Sequence, residues 1–172
     1  NPQETAFVMI EYQNEFCSPG GKLHGAVKPC MDSTNMLENS IRAVNQARYA
    51  GCSIIHCPID FEQGHPEISK SPYGVLAGIK EGGAFTAGTW GADFVEGMRP
   101  VAGDLVVRGK KGLCGFASTN LEFLVGHSGA RNVVLGGFLT NCCVESTMRT
   151  AYEKGFRVFT LKDCVAATSI EA

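Results

Sequence analysis

Side chains able to act as acid, base or nucleophile stand just after short apolar runs along this chain: Glu11, Asp60, Lys110, and the adjacent thiols Cys142 and Cys143. A carboxylate, an ammonium and a thiol arriving from separate strands at one sheet edge would make a nucleophilic site. The strongest local signal is Gly136-Gly137-Phe138-Leu139-Thr140-Asn141-Cys142-Cys143-Val144, an apolar run that turns through glycines and polar caps into a helical pattern. A thiol in the first helical turn sits at the positive end of the backbone dipole, which favours thiolate. The N–H groups there lack helical partners, so they can bind the oxygen that becomes negative when a carbonyl is attacked. Spacing alone reads both cysteines equally well as small packing residues. It also reads Lys110 and Lys111 as solvated surface lysines.

Five β-rich apolar runs have to position these groups: Ala6 to Ile10, Ser53 to Pro58, Leu105 to Arg108, Asn132 to Gly136 and Arg157 to Leu161. Helical stretches alternate with them, which implies a mainly parallel sheet. Each run is nearly continuously apolar, as expected of strands covered on both faces, so the predicted architecture is a Rossmann-like three-layer α/β/α sandwich. Between the first two runs, Met31 to Ala50 keeps Met36, Leu37, Ile41, Val44 and Ala47 on one helical face, with Gly51 ending the helix. A second helix is expected after Ser118, where Thr119 and Glu122 have capping-box spacing and Leu121, Phe123, Leu124 and Val125 face inward. A third, about Asn141 to Lys154, puts Val144, Met148, Ala151 and Tyr152 on a core stripe and ends at Gly155. From Ile59 to Gly91 the chain is rich in Gly, Pro and Ser without a steady period, a long irregular excursion of the functional kind. No repeat or linker divides the chain, so 1–172 reads as a single domain. The last run is followed by a loop that stops at Ala172, which leaves room for a final strand or helix.

Composition narrows the partners. The chain has 172 residues, 44% hydrophobic and 19% charged, with a formal net charge of −2. The longest basic block is Lys110-Lys111, so a footprint for nucleic acid or anionic lipid is missing. Apolar stretches such as Val133 to Leu139 fall far short of the ~20 residues that span a bilayer. Eight cysteines without a C-x-x-C pair, several inside apolar runs, read as reduced thiols. A soluble, cytoplasmic protein is expected, although Asn1 is not an initiator Met.

Three segments make the sequence resemble the isochorismatase-like cysteine hydrolase superfamily, which includes nicotinamidases, carbamoylsarcosine amidases and isochorismatases. They are Ala6 to Phe16, Lys110 to Leu121, and Gly137 to Ala151, the last fitting the family's G-x-x-T-x-x-C-V-x-x-T. The resemblance implies a catalytic triad of Glu11, Lys110 and Cys143, with Cys142 a neighbour and Lys111 passed over. It places Glu11 where relatives carry Asp, two residues before Gln13. It further implies a cis peptide at Phe138-Leu139, an oxyanion hole from the Leu139 and Cys143 amides, and Phe16 and Trp90 as aromatic lining of the substrate pocket.

The function implied is hydrolysis of a C–N bond in a small amide, ureide or related carbonyl compound through a thioester, without a cofactor. Two alternatives stay open: vinyl ether cleavage of the isochorismatase type, and a non-catalytic member in which Glu11 has displaced the working geometry. Nicotinamidases bind a metal after the second strand, but Asp60, Glu62 and His65 break that pattern, and no metal is expected. His56, within the second run, reads as a hydrogen-bonded core residue. Relatives are commonly oligomeric, so a homo-oligomer acting on a small molecule is expected.

Overall fold

All five apolar runs form strands. In a computed structural model, which describes residues 1–171, β1 (Thr5–Ile10), β2 (Ser53–Cys57), β3 (Leu105–Val106), β4 (Asn132–Phe138) and β5 (Arg157–Ala166) build one sheet. Its order is β3-β2-β1-β4-β5, and every neighbouring pair is parallel. Among the described residues six α-helices accompany it: α1 (Asn14–Cys17), α2 (His24–Thr34), α3 (Met36–Tyr49), α4 (Val75–Gly82), α5 (Leu121–His127) and α6 (Glu145–Glu153).

The alternation of side chains along a strand explains why the runs are continuously apolar. In β1, Val8 and Ile10 enter a core shared with Leu121 and Val125 of α5 and Ala151 of α6. Met9, pointing the other way, joins Val27 of α2, Met36 and Val44 of α3, and Ile79 of α4. Both faces are thus buried under helices, and neither can be polar. This is the predicted α/β/α sandwich.

Local details depart from the sequence reading. Met31 to Ala50 is two helices, because Asn35 takes a left-handed backbone, φ 55°, and ends α2 before α3 begins. Asn tolerates that conformation, and a regular apolar pattern cannot reveal it. No reciprocal capping box forms on α5: Thr119 Oγ1 accepts from Leu121 N, while Glu122 pairs with Lys154 instead. Phe123 and Tyr152 lie on outer faces, 74% and 72% exposed, whereas Leu121, Val125, Val144 and Ala151 are buried as expected. The excursion between Ile59 and Gly91 contains α4, and β5 runs on to Ala166.

Behind β2 a buried ionic group fixes the loop before β3. Asp104 accepts two bonds from Arg48 (3.1 and 2.8 Å) and one from His56 Nε2 (2.9 Å), while His56 Nδ1 has no partner. Burial holds the His56 pKa below its ordinary 6.5, against the pull of Asp104. Between those two values the unfolded chain binds a proton that the folded chain refuses. Stability from this site is therefore complete above about pH 6.5 and is lost as pH falls through that window. Urea midpoints should drop from pH 7 to pH 5, and His56→Gln should flatten that drop; equal slopes in the two proteins would remove His56 as the cause.

Gly137 shows how tightly β1 and β4 are drawn together. Its φ is 126°, and a β-carbon there would stand 1.9 Å from the Ile10 carbonyl oxygen. Neither clash nor backbone can be relieved by a side-chain rotation, so Gly137→Ala should cost on the order of 3 kcal/mol. A urea midpoint unchanged by this substitution would contradict the packing described.

Candidate active site

Chain order reverses between β1 and β4: the chain leaves β1 toward β2 on one side of the sheet, and β4 continues to β5 on the other. A crevice opens at the carboxyl ends of strands at such a point. Glu11 leaves β1 there with a left-handed backbone, φ 58°. Its N–H donates to the Cys57 carbonyl at 3.0 Å, and its own carbonyl accepts from Gln13 N at 2.7 Å. A non-glycine residue in that conformation costs about 1–3 kcal/mol, a feature that clusters at functional sites. Here it keeps a carboxylate, 3% exposed, at the sheet edge.

Lys110, four residues beyond β3, is equally buried. Its Nζ donates to Glu11 Oε1 at 2.5 Å and to the Gly112 carbonyl at 2.6 Å. Burial alone would push the ammonium pKa down, but the Glu11 carboxylate, with Cys143 beside it, holds it above the ordinary lysine value. Lys111 points elsewhere, to Asp60 and Glu67.

Cys143 completes the cluster. It lies in a π-helical turn, Thr140–Val144, between β4 and α6, and the Phe138-Leu139 peptide bond ahead of it is cis. Burial pushes the thiol pKa well up, Glu11 pushes further through charge and hydrogen bonding, and Lys110 pulls the other way. Burial and Glu11 thus both work against the thiolate that a position at a helix N-terminus favours. Desolvation and a neighbouring carboxylate outweigh the dipole, and the turn holding the residue is not the first turn of a regular helix.

Glu11, Cys143, Cys142 and Leu139 share a cavity of about 280 Å³. Phe16 also faces it, stacked on Phe138 with ring centroids 4.8 Å apart. Trp90 does not: it is 53% exposed and borders a separate, polar depression with Glu15 and Lys22. A lone tryptophan in a glycine-rich loop suggested lining, but its ring packs near Gly20 instead. Asp60, Glu62 and His65 do not converge either. Asp60 is tied to Lys111, His65 Nε2 meets the Ala84 carbonyl at 2.7 Å, and among the described residues no three acidic, His or Cys side chains are grouped for a metal.

Gln13, in sequence only a polar residue two positions after Glu11, ties the site together. Fully buried, its side chain donates to the carbonyls of Ile59 and Ala92 at 2.8 and 2.7 Å and accepts from Ile59 N at 2.9 Å. Both ends of the excursion are thereby fastened beside Glu11. A polar residue following an apolar strand was the only available signal. The cavity wall from α2 was also missed, though Val27 and Met31 have helical i, i+4 spacing.

A parallel sheet of this order, with a thiol, a carboxylate and an ammonium gathered at its switch point, defines an α/β protein with a ligand site at the carboxyl ends of its strands. The chain belongs to the isochorismatase family: the Isochorismatase domain matches residues 5–172. The ureidoacrylate amidohydrolase RutB of Serratia proteamaculans is 32% identical over 164 residues, covering 88% of this chain and 65% of that protein. RutB of Rhizobium rhizogenes is 29% identical over 175 residues, 94% of this chain and 70% of the relative. The chain thus spans about two thirds of the length of these relatives. Among solved structures, N-carbamoylsarcosine amidase of Thermoplasma acidophilum superposes with a TM-score of 0.74 at 26% identity, covering 95% of this chain and 84% of that one. An isochorismatase family protein of Desulfovibrio vulgaris shares the fold with a TM-score of 0.81 at 24% identity, covering 96% and 83%.

Proposed function

We propose that this protein hydrolyses the C–N bond of a small amide or ureide through a thioester on Cys143. The observation carrying the reading is that Cys143 and Glu11 line one cavity at the sheet's switch point, with the buried Lys110 ammonium bonded to the Glu11 carboxylate. The names of the relatives, an amidohydrolase and an amidase, support the same bond.

In the resting site sulfur holds its proton, and Glu11 faces Lys110. As Cys143 attacks the carbonyl carbon, Glu11 takes the thiol proton. The ammonium then lies opposite sulfur instead of carboxylate, so the charge count of the pocket is unchanged by the transfer. The amides of Leu139 and Cys143 serve as donors to the oxyanion. Collapse of the tetrahedral intermediate breaks the C–N bond, and Glu11 returns its proton to the departing nitrogen. Water, deprotonated by Glu11, then cleaves the thioester, releasing the acid and restoring the thiol. The sum is amide plus water giving carboxylic acid plus ammonia.

Ammonia release from a panel of primary amides, ureides and N-carbamoyl compounds tests the reading, each assayed before and after Cys143 is alkylated. Release that alkylation stops is expected. A protein that liberates ammonia from none of them, or continues after complete alkylation, does not work this way.

A further inference from the structure

We propose that the substrate's acyl group is uncharged and apolar, a compact aliphatic or aromatic carboxamide, and that carboxylate-bearing amides and ureides are rejected. This deepens the amide hydrolase reading and rests on it. The cavity of about 280 Å³ lies just below the usual range for ligand sites, roughly 300–1,000 Å³. Leu23, Ala26 and Val27 at the start of α2 line it, as do Val75, Leu76 and Ile79 of α4. Phe16, Ile59 and Leu113 close the remaining sides.

No Lys, Arg or His is among the described residues lining this space, and its one charged side chain is Glu11. Lys110 reaches Glu11 from behind and divides its donors between that carboxylate and the Gly112 carbonyl. Lys111, the next cation along the chain, is held by Asp60 at 2.9 Å and Glu67 at 3.1 Å. A substrate carboxylate would lose its water against aliphatic walls, find no cation, and meet the like charge of Glu11. An alkyl or aryl group gains from the same burial. The ureidoacrylate in the relatives' names carries such a carboxylate, so their substrate does not transfer to this cavity. Hydrolysis also converts a favoured ligand into a disfavoured one: the new acid ionises beside Glu11 and leaves, so the free acid should inhibit poorly.

Isocaproamide and succinamate test this, since they match in length and differ by an isopropyl group in place of a carboxylate. With the whole protein, kcat/KM for isocaproamide should exceed that for succinamate by on the order of 10²-fold. Protection of Cys143 from iodoacetamide by each compound gives a binding readout that needs no turnover. Selective protection by isocaproamide without hydrolysis of either compound would support the cavity's preference while sinking the hydrolase reading. Hydrolysis or protection by succinamate equal to or better than isocaproamide overturns the proposal and leaves the hydrolase reading standing; protection by neither overturns it too. Leu113→Arg places a cation at the partly exposed rim, 39% accessible in the parent, where it need not disturb folding. It should move the ratio toward succinamate by about 10-fold or more, and an unmoved ratio counts against the proposal.

Discussion

Exchanging Cys143 for alanine should remove hydrolysis of every amide the parent protein cleaves, a loss on the order of 10⁵-fold or more. The size follows from the role: without sulfur there is no thioester, and the remaining oxyanion donors act on a water that nothing positions. Folding should survive. Cys143 is part of a cavity wall, so alanine enlarges an existing space rather than opening a new void in a close-packed core. Sulfur is also not held as one half of an ion pair, since burial and Glu11 both disfavour its anionic form. The expected stability change is below about 1.5 kcal/mol, read from urea midpoints beside the ammonia assay. Acid-quenched parent protein should show the mass of one acyl group on the peptide containing Cys143, absent from Cys143→Ala. Turnover persisting in the alanine variant would rule out covalent catalysis, whatever the stability result.

How far the sequence reached depended on the kind of physical signal involved. β1 and β4 were legible because both faces of each strand are buried, which forces every residue from Ala6 to Ile10 and from Val133 to Phe138 to be apolar or glycine. Their order in the sheet decides that Glu11 and Cys143 emerge at one crevice, and alternating strands and helices anticipate such a crevice without specifying its walls. Single-residue backbone choices stayed hidden. Asn35 divides a stretch with no glycine or proline at the break to mark it, and Glu11 takes a left-handed conformation that no glycine advertises. Desolvation was equally invisible. A helix dipole is one local field, whereas burial and then the carboxylate of Glu11, distant in the chain, raise the Cys143 pKa. Trp90 erred in the same direction: residue type suggested a role, and only packing shows the ring half outside.

Glu11→Gln should separate two properties usually assumed to rise together, thiol reactivity and catalysis. After burial, Glu11 contributes most to the raised Cys143 pKa, through its negative charge and its hydrogen bond, and Lys110 opposes it. Glutamine removes the charge and leaves the Lys110 ammonium facing sulfur, so the thiol should ionise at lower pH. Iodoacetamide should therefore modify Cys143 faster at pH 7 than in the parent, whose rate climbs only as pH rises through the alkaline range. Hydrolysis should nevertheless fall by a factor on the order of 10²–10⁴. An amide nitrogen is a poor leaving group until protonated, and the glutamine has no proton to return. Some stability is lost as well, about 3 kcal/mol, because a buried ammonium at 1% exposure loses its carboxylate. Glu11→Asp guards against confusing that loss with the chemistry: it keeps the charge, draws it back by one methylene, and should leave Cys143 as slow to alkylate as in the parent. Should the glutamine variant alkylate no faster than the parent, Glu11 does not govern the sulfur; should it hydrolyse as fast, Glu11 is not the proton carrier. If Glu11→Asp instead raises activity on common amides, the extra methylene marks drift from the family's chemistry rather than specialisation for this chain's own substrate.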